Sequence, residues 1–211
     1  MSTNETSYAA HGIDKWIYDN LFPNVEQGYF VDIGAHHPIL GNNTYFFEQM
    51  GWDGICFEPL PELAAKLSTQ RKCAVVEKAL SDTSGVFSFF QIKGQSEVLS
   101  GLEDKFDQNA IARINKEIEE YNQDYDYIDV ECSLFSDEVK TSEIDLLSID
   151  VEGAELDILK TIDFNDYFIK VMIVEFNHRN DPLFNYIQQQ GFTLVHKKGV
   201  DLIFKNNSYV Y

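Results

Sequence analysis

The chain has 211 residues, a formal net charge of −19, 44% hydrophobic and 14% aromatic residues, which is enough for one buried α/β domain over 1–211 and rather short for two. So acidic a surface repels phosphate backbones and anionic lipid heads, and its longest basic run is Lys197-Lys198, so neither nucleic acid nor membrane is an expected partner. Cys56, Cys73 and Cys132 lack metal-ligand spacing and read as reduced core thiols; with no basic start, apolar leader or membrane-length run, the expected location is cytoplasmic.

From Tyr8 to Phe22 the residues Ala9, Ile13, Ile17 and Leu21 recur every four positions with Trp16 beside them, and Pro23 ends the run. The spacing predicts a leading helix over 8–22, with His11, Gly12 and Asp14 at or near its start. Tyr29 to Ile33 is a short aromatic and branched run, a buried strand that Gly34 stops. A small-residue loop follows, Gly34-Ala35-His36-His37 through Gly41, and Asn42, Asn43 or Thr44 caps a helix from Tyr45 to Gly51. At the carboxyl end of a strand in an open parallel sheet, such a loop approaches a ligand closely and suits a nucleotide-like one.

Gly54 to Phe57 is the second strand and ends in Glu58-Pro59, a carboxylate able to accept from both hydroxyls of a ribose. A helix over 61–70 and a strand over 73–77 precede the loop Lys78 to Asp82, and Val86 to Ile92 alternates as an extra strand. Lys93 to Asp126 is polar and acidic, with Phe106, Ala110, Ile111, Ile114 and Ile118 on one helical face; it reads as an inserted helical lid or a dimer contact. Tyr121, Tyr125 and Tyr127 add aromatic faces suited to sugars or to anchoring a loop. Ile144 to Ile149 is the fourth strand; alternation puts Ser148, Asp150 and Glu152 on one side, while Glu155 suits the first turn of a helix over 154–160. Lys170 to Val174 ends in Glu175-Phe176-Asn177-His178, and a helix over 182–190 leads into a closing hairpin, 192–196 with 200–204.

Asp32-Ile33-Gly34 on strand one with Glu58 on strand two resembles a class I methyltransferase that uses S-adenosylmethionine. His36 stands where a dinucleotide fingerprint needs its second glycine, which weakens the alternative of an NAD-dependent oxidoreductase. Taken together, FVDIGAHHP with GNNTYFFE, GWDGICFEPLP, DLLSIDVEGAELDILK and MIVEF resemble the FkbM family of methyltransferases in its GAHHP-type subgroup, in order and spacing from Asp14 to Phe176. The resemblance implies a Rossmann-like α/β fold: a seven-stranded, mostly parallel sheet of order 3-2-1-4-5-7-6, flanked by helices, with a helical insertion between strands three and four. It also implies O-methylation of a small molecule, and the acidity of the chain favours a neutral sugar or glycan.

Under that reading Asp32, Gly34, Ala35, His37, Asn43, Thr44, Glu58 and Pro59 are expected to contact the cofactor, Ser81 and Asp82 to border its adenine, and Asp150 to reach its methyl. Transfer to a hydroxyl needs an in-line approach and a proton acceptor. Asp150 or Glu152 is expected to accept the proton, and His36 is a further candidate because imidazole titrates near neutrality. No metal is expected; the alternative is magnesium held by Asp150, Glu175 and Asn177 or His178. A non-catalytic cofactor-binding module is the remaining alternative, opposed by the joint presence of Asp32, Glu58 and Asp150. The chain is expected to be a monomer or homodimer.

Overall fold

Short β-branched and aromatic runs give the strands of a central sheet whose two faces are both covered by helices. The computed structural model describes residues 6–176 and 181–210. Its strands are β1 (Tyr29–Ile33), β2 (Asp53–Phe57), β3 (Ala74–Val76), β4 (Ala79–Leu80), β5 (Gly85–Lys93), β6 (Gly101–Leu102), β7 (Asp124–Ser133), β8 (Glu143–Ile149), β9 (Phe168–Glu175), β10 (Phe192–Lys198) and β11 (Asp201–Asn206). Its helices are α1 (Ile13–Leu21), α2 (Tyr45–Gln49), α3 (Pro61–Gln70), α4 (Gln108–Tyr121), α5 (Phe135–Glu138), α6 (Glu155–Lys160) and α7 (Asp181–Gln189). Among the described residues no helix is long and apolar enough to cross a membrane.

The central sheet runs β3-β2-β1-β8-β9-β11-β10. All neighbours pair in parallel up to β9, and β11 is antiparallel to both β9 and β10. Strand alternation sorts the side chains. Val31 and Ile33 enter one core with Ile158 and Leu159 of α6 and Leu183 and Ile187 of α7. Phe30 enters the opposite core with Ile13, Ile17 and Leu21 of α1 and Phe46 and Phe47 of α2. Each such side chain contributes about 1.5–3 kcal/mol by leaving water. Asp32 shares the face of Phe30, so β1 delivers a carboxylate into the layer between the sheet and α1 to α3.

The expected continuous helix over 8–22 is instead a 3-10 turn, Ala10–Gly12, followed by α1, because His11 (φ 58°) and Gly12 (φ 75°) are left-handed. Asp14 accounts for the break. Fully buried, it accepts the amides of Tyr8 (2.7 Å), Ala9 (3.0 Å) and Lys15 (2.7 Å) and the Ser7 hydroxyl, folding the segment before α1 back over its first turn.

The insertion between β3 and β8 departs further from expectation. It is a second sheet, β4-β7-β5-β6, with α4 packed on it, where the sequence had indicated a helix and loops over 93–126. Tyr125 and Tyr127 alternate with aspartates, but the apolar face switches at Ile128 and Val130, and this break together with the high charge disguises β7. It pairs along β5 from Gly85↔Cys132 to Lys93↔Asp124. Ala79 and Leu80, expected as loop, pair with Cys132 and Ser133. One face of this sheet, through Phe89, Leu102 and Val130, packs on Leu60 and Leu63 beside β2, which sets the insertion over the carboxyl end of the central sheet. The other face, through Phe90 and Ile92, receives Ile114 of α4.

Because Ile114 is the one buried residue of α4, its amides should exchange with solvent faster than those of β1 and β8, by hydrogen exchange followed by mass spectrometry. Protection of α4 equal to that of the two strands would contradict this.

Candidate active site

The carboxyl ends of β1, β2 and β8 open into a cavity of about 330 Å³, a volume suited to a small ligand. Gly34 makes this possible. It adopts φ +82°, and a Cβ there would lie 1.9 Å from the carbonyl oxygen of Asp150. The exit of β1 is thus in backbone contact with the tip of β8, where the Asp150 amide donates to Ile33 O (3.0 Å); on the other side the Gly34 and Ala35 amides both donate to Phe57 O (3.0 and 3.1 Å).

Asp32 is 3% exposed and accepts from Thr44 Oγ1 (2.7 Å) and Asn42 Nδ2 (3.1 Å). Burial raises its pKa, opposed by nearby Arg71 and by these hydrogen bonds. Of the three candidate caps of α2, Asn42 acts as one, accepting the amides of Thr44 (3.0 Å) and Tyr45 (2.8 Å). Asn43 lines the cavity and donates to the Ser148 hydroxyl (3.2 Å), whereas Thr44 sits behind Asp32, off the cavity wall. His37 lines the cavity too, but its Nδ1 accepts the amides of Ile39 (3.1 Å) and Leu40 (2.9 Å) and so fixes the turn. The leading segment braces this loop, with the Gly41 amide donating to Tyr8 O (2.9 Å).

Glu58 is 4% exposed and accepts the amides of His36 and Leu60, both at 2.9 Å. Burial pushes its pKa to about 7. Beyond Glu58 and Pro59 the wall carries Phe57, Leu60, Ala79, Leu80, Phe89 and Leu102, and Lys78, Glu97 and Ser100 also line the cavity. Ser81 and Asp82 are not part of that wall: Asp82 accepts from Lys105 (2.9 Å) and Ser81 (3.1 Å). Lys105 also donates to Asp157 (2.9 Å), tying the insertion to α6. His36, left-handed at φ 49°, carries Nε2 3.1 Å from Glu97 Oε1 of the insertion. Burial lowers its pKa, opposed by Glu97, while His37 and Lys66 add to the lowering.

Those carboxylates form the second part of the site. Ligand oxygens of Asp150, Glu152 and Glu175 lie within 4.8 Å of one another. Asp150 reaches the solvent of the cleft, yet protein closes round it; that crowding and the adjacent Glu175 carboxyl hold its pKa well above the usual range. Burial pushes Glu175 to about 7. Glu152, at φ 55° on the turn after β8, lies 3.8 Å from Arg113 Nη1 on α4. Glu155 turns inward and accepts the amides of Val151 (3.3 Å) and Gly153 (3.1 Å), holding that turn together. A second cleft of about 610 Å³ lies under α4, walled by Asn109, Arg113, Ile114, Glu175 and Phe176, and Glu152 belongs to both cavities. Asn177 and His178 lie outside the described residues.

Sequence reading missed Phe89, Glu97, Leu102 and Arg113, all supplied by the insertion. The alternation of β5 was the one available signal for Phe89, and it does not say what that side chain meets.

Residues 32–202 match the family model described as the methyltransferase FkbM domain. No curated protein matches the chain. Among solved structures it is similar to a TehB-like SAM-dependent methyltransferase from Corynebacterium glutamicum, with 10% identity over 92% of this chain and 86% of that one and a TM-score of 0.46. It is also similar to PH1948 from Pyrococcus horikoshii, a candidate RNA methyltransferase, with 14% identity over 94% of this chain and 87% of that one and a TM-score of 0.46.

The raised pKa of Glu58 has a stability signature. The folded chain holds a proton on Glu58 between pH 4.5 and about 7 that the unfolded chain releases, so this stabilising contribution is full at low pH and is lost as pH rises through that window. Glu58→Gln, which cannot ionise, should gain on the wild type by about 2 to 3 kcal/mol between pH 5 and pH 8 in denaturant titrations. A difference that does not change with pH would show that Glu58 titrates normally.

Proposed function

The chain belongs to the FkbM methyltransferase family, and on that premise we propose that it moves a methyl group from S-adenosylmethionine to a hydroxyl of a small molecule, with a neutral sugar or glycan as acceptor. One observation carries this reading: Asp32 of β1, Glu58 after β2 and Asp150 after β8 share one cavity wall. Glu58 already accepts two backbone amides and keeps lone pairs for two ribose hydroxyls. The apolar wall of Phe89 and Leu102 suits an adenine ring. Asp32 and Asn43 suit the amino-acid end, where a buried carboxylate attracts an ammonium group.

When bound, the cofactor supplies an electrophilic methyl on sulfur; the chain must hold the acceptor in line and receive its proton. Asp150 and Glu175 stand side by side, and like charges that close do not both ionise, so the pair shares a proton near neutrality. It can therefore take up one more as the hydroxyl loses its own. Glu152, common to both cavities, is suited to orient the acceptor, which enters by the cleft under α4. A formal charge of −19 disfavours phosphorylated or otherwise anionic acceptors.

A second reading draws on the same three side chains. Asp150, Glu152 and Glu175 offer oxygens close enough to hold magnesium, which would orient the acceptor hydroxyl and lower its pKa. Methyl transfer from labelled S-adenosylmethionine to a panel of methyl glycosides separates the two. The proton-accepting pair predicts a rate indifferent to chelator, and a loss in kcat of roughly 10²- to 10⁴-fold for both Asp150→Asn and Glu175→Gln. Activity that chelator abolishes and magnesium restores favours the metal, and a fully active Asp150→Asn removes Asp150 from both.

A further inference from the structure

Arg71 follows α3 directly and its side chain is 0% exposed. It lines neither cavity. Its guanidinium nevertheless reaches across the layer to the loop between β1 and α2. Nε donates to Glu48 Oε2 (3.2 Å), Nη1 to Asn42 Oδ1 (3.0 Å) and to Pro38 O (3.5 Å), and Nη2 to Thr44 Oγ1 (3.1 Å). The rings of Phe30 and Tyr45 face it at 5.5 and 5.4 Å.

Asn42 and Thr44 both donate to Asp32; the amides of Thr44 and Tyr45, donating to Asn42 Oδ1, already hold Asn42 in part, while the Thr44 hydroxyl has Asn42 Oδ1 at 3.1 Å as a second acceptor. A threonine hydroxyl has one proton and accepts as readily as it donates; an asparagine amide turned over would present oxygen in place of nitrogen. By donating to Thr44 Oγ1 and Asn42 Oδ1, Arg71 occupies their acceptor sides. The hydroxyl proton and the amide nitrogen are left for Asp32, and the same nitrogen also reaches Ala35 O (3.0 Å). The charge of Arg71 is met by Glu48, whose Oε2 also accepts the amides of Lys72 and Cys73, both at 3.0 Å. Asp32 thus receives neutral donors, and Arg71 opposes the rise of its pKa without bonding to it.

We infer that Arg71 is a positioning residue for the cofactor: without touching the ligand, it fixes the donor direction of Asn42 and Thr44 towards Asp32 and the shape of the loop over 34–44. The inference rests on reading the cavity as the S-adenosylmethionine site. It requires a fork. Three nitrogens donating to four partners suit a planar guanidinium, and the ammonium of a lysine cannot replace them.

Calorimetry with S-adenosylhomocysteine, each protein held well below its own unfolding midpoint, tests this. Arg71→Lys keeps a charge opposite Glu48 and loses the fork; the double replacement Arg71→Met with Glu48→Met removes the ion pair without stranding either charge, and covers the case in which the lysine variant does not fold. Either should bind at least about tenfold more weakly than the wild type. Arg71→Lys combined with Asn42→Ala should lose less affinity than the sum of the two single losses, since the route through Asn42 is shared and that through Thr44 is not. Affinity within about twofold of the wild type in a folded variant, with only the midpoint lowered, overturns the inference, as do additive losses. A wild-type chain that does not bind S-adenosylhomocysteine overturns the cofactor reading itself, a result seen without any variant.

Discussion

The contact on which the site depends is that between Gly34 and the Asp150 carbonyl, where a Cβ would stand 1.9 Å from oxygen. A side chain at Gly34 would demand a left-handed backbone that costs about 1–2 kcal/mol and would also force the two strand ends apart. With glycine in place, β1 and β8 stay in register to their last residues, Ile33↔Ile149. The loop that carries Asn42 and Asn43 and the turn that carries Asp150 and Glu152 then share one cavity. Parallel strands supply the rest, since their carboxyl ends all lie on the same edge of the sheet.

Around that contact the chain accumulates carboxyl groups under protein. Asp32, Glu58, Asp150, Glu155 and Glu175 all have raised pKa values, with burial the largest cause in each. Such groups lower the stability of the ligand-free protein at neutral pH. The structure meets part of that cost with backbone amides on Glu58 and Glu155 and side-chain donors on Asp32. A ligand bearing hydroxyl and ammonium donors would meet more of it. On the reading proposed above, the acidity of the chain and these carboxyls disfavour an anionic acceptor.

What the sequence made legible was carried by short-range pattern. The run Tyr29 to Ile33 and the helix over 61–70 end in the structure where turn and apolar spacing put them. Asp32, Glu58 and Asp150 line one cavity because each is the penultimate residue of a strand or the one just after it, in the parallel part of one sheet. Of the insertion, the strand over 86–92 and an amphipathic helix were legible, but β7 was not, since its acidic composition hid a strand whose apolar residues change face between Tyr127 and Ile128. Side-chain roles inside the loop were also beyond reach. Asn42 or Thr44 could equally have capped α2, and only the approach of Arg71, from a segment far along the chain, separates them. Asp82, expected to border the adenine, accepts from Lys105, a contact across 23 residues that no short-range pattern announces.

A crystal structure of the protein with S-adenosylhomocysteine tests the account most directly. It predicts the ribose hydroxyls on Glu58, the adenine against Phe89 and Leu102, and the sulfur facing Asp150. Ligand bound outside this cavity, or reversed so that adenine meets Asp150 and the amino acid meets Glu58, would contradict it.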